Sequence, residues 1–210
     1  PHEQGQGMPL SSPARQAVAI YLNPAEIVLA EGPATVTTVL GSCVAVTIFS
    51  HQTRLGTICH GVLPNGMDEE PGKYVDQAVR YMVDFFQGRQ VAMKHLVAKV
   101  FGGADMFPQM RGVSDQRTIG AQNILAALST LEQAGINPAV VEVSGQQGRK
   151  LVFFSETGEV FIKRVRKEQM QVAEQRLIFR EKNRKIAILS REYRDNNGVK
   201  GEMCVKKSRC

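Results

Sequence analysis

Short apolar runs alternate with Gly- and Pro-containing breaks through most of the chain, and their rhythm changes twice to a helical period. Residues 26–30, 35–39 and 43–49 read as short strands, separated by Glu31-Gly32-Pro33 and by Gly41-Ser42. The third run, Cys43-Val44-Ala45-Val46-Thr47-Ile48-Phe49, is nearly continuous in apolar and β-branched residues, which suits a strand covered on both faces. Residues 55–63 give a further strand, ended by Pro64-Asn65-Gly66. Over 74–87 the period lengthens, placing Val75, Ala78, Val79, Met82, Phe85 and Phe86 on one helical face ahead of Gly88. A second helix over 118–134 sets Ile124, Leu125, Leu128 and Leu131 on one face and stops at Gly135. Residues 95–101 and 139–143 read as strands, and 151–155 with 159–163 as a hairpin around Glu156-Thr157-Gly158.

These elements give an α/β (α+β) protein with more strands than helices. Three segments are expected: an N-terminal arm over 1–24 rich in Gly, Gln, Pro and Ser, a folded domain over 25–165, and an extension over 166–210. In the extension, Met170 to Tyr193 fits either a charged helix or two short strands, and the pattern beyond 195 reads as disordered.

Composition narrows the function. With 210 residues and no Trp, one core built from Val, Ile, Leu and Ala is expected. No apolar run approaches the ~18 residues of a membrane span, and no signal-peptide pattern opens the chain, so a cytoplasmic protein without membrane insertion is expected. Charge is uneven: residues 163–210 hold 15 of the 26 Lys and Arg against 6 of the 20 acids, so they carry +9 while residues 1–162 carry −3. The basic extension suits long-range attraction to an acidic partner. It lacks stacking aromatics beyond Phe179 and Tyr193, so nucleic acid is not expected as a partner.

Four cysteines, at 43, 59, 204 and 210, make a poor disulfide framework for a chain of this size, and reduced thiols are expected. Cys43, Cys59 and His60 lack the paired close spacings of a structural zinc site, so neither metal nor cofactor is expected. The strongest chemical signal is Leu40-Gly41-Ser42-Cys43 with His60 seventeen residues later. A thiol of ordinary pKa ~8.5 needs a base or a positive field to act as a nucleophile. An imidazole supplies either. Gly41 and Ser42 would turn the chain and present backbone N–H groups to an oxyanion. Cys59 and His60 should face opposite sides of a strand, with Cys59 packing and His60 toward the thiol. On composition alone, a buried cysteine and a core histidine would explain the same residues.

Several motifs in order change that balance. Thr37-x-x-Leu40-Gly41-Ser42-Cys43-Val44-Ala45-Val46, His60-x-x-Leu63-Pro64, Lys99-Val100-Phe101-Gly102-Gly103-Ala104-Asp105-Met106 and Ile119-Gly120-x-x-Asn123 follow one another, with Gly148-Arg149-Lys150-Leu151 and Thr157-Gly158-Glu159-Val160 later. Together they resemble the CheD family of chemoreceptor glutamine deamidases, over about 26–165. The resemblance implies a layered sandwich of mixed β-sheets with flanking helices, like certain toxin-type cysteine deamidases. It implies a Thr–Cys–His site, with the threonine six residues before the cysteine. That makes Thr37 rather than Thr38 the residue that orients His60, beside Cys43 as nucleophile. The activity implied is hydrolysis of receptor glutamine side chains to glutamate through a thioester, as a protein-glutamine glutaminase. Methyl-accepting chemotaxis receptors are the implied substrates and a CheC-type phosphatase a possible partner; an adaptor acting mainly through that phosphatase is the alternative role. Gly102 and Gly103 are expected to wall the glutamine slot, and Ser42 and Asn123 to give polar support. The chain departs from the family pattern at Thr118, where Asn or Asp is usual, and at Ser144-Gly145, where a Gly-Gly pair is usual.

Overall fold

The computed structural model describes residues 17–69, 71–105 and 118–166. Nine strands and two α-helices stand among them. In chain order these are β1 (Val18–Tyr21), β2 (Ile27–Ala30), β3 (Ala34–Leu40), β4 (Val44–Ser50), β5 (Leu55–Gly61), α1 (Val75–Gln87), β6 (Leu96–Gly102), α2 (Ile119–Gln133), β7 (Val140–Val143), β8 (Gly148–Phe154) and β9 (Val160–Val165). They form a four-stranded sheet, β1-β3-β8-β9, and a five-stranded sheet, β2-β5-β4-β6-β7. Both mix parallel and antiparallel pairs: β1 runs parallel to β3 and β7 parallel to β6.

The apolar pattern explains the layering. All seven residues of β4 are buried, as expected of a strand covered on both faces. Val44, Val46 and Ile48 join Cys59 and the apolar faces of α1 and α2 in one core. Ala45 turns the other way, into a second core with Leu22, Val36, Leu40, Ile58, Phe101, Leu151 and Phe153. The five-stranded sheet is therefore the middle layer, between the helices and the four-stranded sheet. This is the sandwich with flanking helices that the sequence led us to expect.

Two expectations need correction. Residues 18–21, placed in a loose arm, form β1 beside β3, and Leu22 after it is fully buried. In α2, Leu125 is 45% exposed, and the small Ala126 and Ala127 are buried instead. The positive φ values near the site belong to Gly102 (106°) and Gly103 (64°). The expectations for 1–16 and 167–210, including the form of the basic extension, lie outside the described residues.

The two departures from the family pattern are accommodated. Thr118 caps α2, accepting the Ala121 N–H on its side chain. Ser144 takes φ 65°, a left-handed conformation that glycine adopts more easily.

Candidate active site

Strand register fixes His60. It pairs with Ala45 across the antiparallel β4–β5 ladder, so both side chains project from the same face, toward the four-stranded sheet. Cys59, one residue earlier, faces the helices and is fully buried. Its burial pushes the thiol up to about 11, which leaves it protonated and inert at neutral pH.

Cys43 lies two residues before Ala45 and packs against the inter-sheet core, on the face that carries His60. Diagonal neighbours on an antiparallel pair have Cα atoms ~7–8 Å apart and Cβ atoms somewhat closer. A thiol and an imidazole can meet over that span by side-chain rotation. Cys43 is half-buried and free of any disulfide.

The loop that delivers Cys43 is tied down on two sides. Gly103 N–H donates to the Cys43 carbonyl and Ala104 N–H to the Gly41 carbonyl, each at 2.8 Å. A Cβ on Gly102 would overlap that same Cys43 carbonyl oxygen, and one on Gly103 would strike Ile124. The glycine pair thus lets the end of β6 press directly against the loop that carries Cys43. From α2, the Asn123 amide donates to the Ser42 carbonyl at 3.1 Å and to the Val62 carbonyl at 2.9 Å. One side chain therefore links the residue before Cys43 to the strand end that carries His60. The amide orientation is fixed by chemistry, because flipping it would set Oδ1 against two carbonyl oxygens. Asn123 Oδ1 is buried without a hydrogen-bond partner.

The threonine that meets His60 is Thr38. Its Oγ1 lies 2.8 Å from His60 Nδ1 and donates to the Leu22 carbonyl at 2.8 Å. Thr37, the expected partner, sits one residue away on β3 and therefore on the opposite face. It is half-buried, in register with Tyr21 and Val152. The alternation of Ala34, Val36, Thr38 and Leu40 as the buried set shows which parity points inward. That apolar rhythm was the signal available in the sequence for choosing between the two threonines.

A hydroxyl has one proton. Because a carbonyl can only accept, the Thr38 proton goes to Leu22, and Thr38 Oγ1 must accept from His60 Nδ1–H. The imidazole is thereby held as the tautomer with a lone pair on Nε2. His60 is 2% exposed. Burial lowers its pKa from 6.5 to about 4, against weaker raising effects of the Leu22 backbone and the Glu26 charge. At neutral pH the ring is a neutral base and gives no cationic field to the thiol.

A half-buried thiol and an oriented neutral imidazole on its face are an arrangement that nucleophilic acyl-transfer chemistry can use. The family model described as CheD chemotactic sensory transduction matches residues 62–164. A probable chemoreceptor glutamine deamidase CheD 2 of Geobacter sulfurreducens is 38% identical over 150 residues, covering 71% of this chain and 92% of the relative. A probable chemoreceptor glutamine deamidase CheD of Nitratidesulfovibrio vulgaris is 37% identical over 173 residues, 78% of this chain and 85% of the relative. The chemoreceptor glutamine deamidase CheD of Thermotoga maritima is 32% identical over 153 residues, 71% and 94% of the two chains. The chain belongs to the CheD family. Among its described residues no helix is long and apolar enough to cross a membrane.

Proposed function

We propose that this chain hydrolyses glutamine side chains of chemoreceptors to glutamate, with Cys43 as nucleophile, His60 as base and Thr38 as the residue that orients the base. The observation that carries the reading is the Leu22–Thr38–His60 chain of hydrogen bonds, which prepares Nε2 on the face where Cys43 lies.

The resting pair is neutral. Burial holds the His60 pKa near 4, so the imidazole does not carry the thiol proton in advance. The proton passes to Nε2 as Cys43 sulfur bonds to the carboxamide carbon, and backbone N–H groups of the Gly41–Ser42 turn stabilise the oxyanion. Imidazolium then donates to the leaving nitrogen, the C–N bond breaks and ammonia departs. Water, deprotonated by the same Nε2, attacks the thioester, releasing glutamate and the Cys43 thiol. Gly102, Gly103 and Asn123 act by holding the loop, not by touching substrate.

The test is ammonia release from a purified receptor cytoplasmic fragment by the purified chain alone. Release matched to the loss of glutamine supports the enzyme reading. Conversion that occurs only when a CheC-type phosphatase is added would favour the adaptor role.

A further inference from the structure

A concave site lies beside the loop that carries Cys43. A cleft of about 520 Å³ is lined by the segment 143–147 together with Arg149 and Arg164. The strand ladders place it. Arg149 pairs with Leu40 on β3 and with Arg164 on β9, so both guanidinium groups start from the inward face of the four-stranded sheet. On the facing sheet, Gly102 is the link: it pairs with Val44 on one side and Val143 on the other, and its carbonyl accepts from Ser144 N–H. Asp105 N–H donates to the Gly145 carbonyl. The backbone that supports Cys43 also supports the cleft. Two strand spacings separate them, about 10 Å.

The cleft has unspent capacity for an anion. The Arg149 side chain is 4% exposed. Two of its nitrogens donate to the carbonyls of Ser144 and Gln147, at 2.8 and 3.5 Å, while Nε has no hydrogen-bond partner. Arg149 Nε and Arg164 Nη2 share one acid, Glu142 Oε1, at 3.7 and 3.9 Å, beyond hydrogen-bond reach. Among the described residues, Glu142 is the one carboxylate within ion-pair reach of the two guanidinium groups. Burial also pulls the Arg149 pKa down, against the raising effect of the Glu142 charge. A guanidinium fork matches a planar carboxylate, and the Ser144 hydroxyl and glutamine amides offer neutral donors around it.

We propose that this cleft binds an acidic side chain of the protein substrate, about 10 Å from the target glutamine, and so helps select which glutamine is hydrolysed. The proposal rests on the deamidase reading above. Its span equals about seven residues of helix or three of extended chain, so the acid is sought within that distance of each modified glutamine.

The experiment is a double-mutant cycle on kcat/KM, using the full-length chain and a purified receptor fragment. Arg164→Gln is the enzyme variant, because that side chain is 67% exposed and its loss leaves the Ser144 and Gln147 carbonyls capped. Acidic receptor residues within the span are changed singly to Ala. Arg164→Gln is expected to raise KM about tenfold on the parent receptor and to have almost no effect on the receptor that lacks the relevant acid. Arg149→Lys, checked for an intact melting transition, should show the same dependence, because an ammonium keeps the charge but loses the fork. Equal losses on every receptor, or no loss on any, would overturn the cleft assignment while leaving the deamidase reading intact. Absence of deamidation by the parent enzyme would strike the deamidase reading itself. Inhibition by inorganic phosphate at constant ionic strength, equal on receptors with and without the acid, would mark a free-anion site and also overturn the proposal.

Discussion

Thr38 and His60 come from different sheets and meet at 2.8 Å between Oγ1 and Nδ1, with the threonine proton already committed to the Leu22 carbonyl. The pair spans the sandwich, so packing of the two sheets sets the orientation of the base. Thr38→Val should lower kcat about tenfold or more by releasing the ring. It should also destabilise the fold by about 1–3 kcal/mol, because the Leu22 carbonyl and Nδ1–H would be left buried and unpaired. Thr38→Ser should restore most of both. Thr37→Ala should change kcat little. Kinetics and thermal melting of the three variants decide between the adjacent threonines; a loss confined to Thr37→Ala would return the orienting role to Thr37.

The acidic limb of the kcat/KM profile should lie near pH 4, not 6.5, because burial lowers the His60 pKa to about 4 and only the neutral ring accepts a proton. The same shift affects stability. The folded pKa lies below the unfolded value, so the unfolded chain binds more protons between the two. Stability from this group is complete above pH 6.5 and is lost as pH falls toward 4, by roughly 3 kcal/mol. His60→Gln should flatten that part of the stability profile. An activity limb centred near 6.5 would contradict the neutral-base account.

Alkylation should separate the two body cysteines. Cys43 is half-buried, whereas Cys59 is fully buried among the helices with its thiol near 11. Iodoacetamide under native conditions, followed by peptide mapping, should label Cys43 well ahead of Cys59. Earlier labelling at Cys59 would mean that the faces of β5 are reversed.

Asn123 should prove a positioning residue. Asn123→Asp keeps the shape but sets a carboxylate against the Ser42 and Val62 carbonyls. We expect kcat to fall more than tenfold with KM nearly unchanged, because loop geometry and not substrate contact is lost. A rise in KM at constant kcat would instead place Asn123 against the substrate.

Much of the site was legible in the sequence. Nearly continuous apolarity over 43–49 marked β4 as a doubly covered strand, and strand alternation alone separated Cys59 from His60. Asn123 stood out by its motif, but its two carbonyl partners lie 81 and 61 residues away and only the tertiary fold joins them. A count back from Cys43 pointed to Thr37, yet the hydroxyl beside His60 is that of Thr38, because the count carries no strand parity, whereas Ala34, Val36 and Leu40 do. β1 was hidden because Val18–Tyr21 is only four residues long and its partner, β3, begins thirteen residues later. Leu125 was placed in the core by its hydrophobicity, yet the helix packs there through Ala126 and Ala127, where small side chains allow close approach.

The central claim is that Cys43 forms the bond to the receptor amide and His60 moves the proton. It is tested most directly by co-expressing a receptor with the parent chain, Cys43→Ala or His60→Ala, and mapping each receptor glutamine by peptide mass spectrometry. The account predicts conversion to glutamate at specific positions with the parent and none with either variant, each of which should keep a cooperative melting transition. Conversion by Cys43→Ala to the parental extent at the same positions would contradict it.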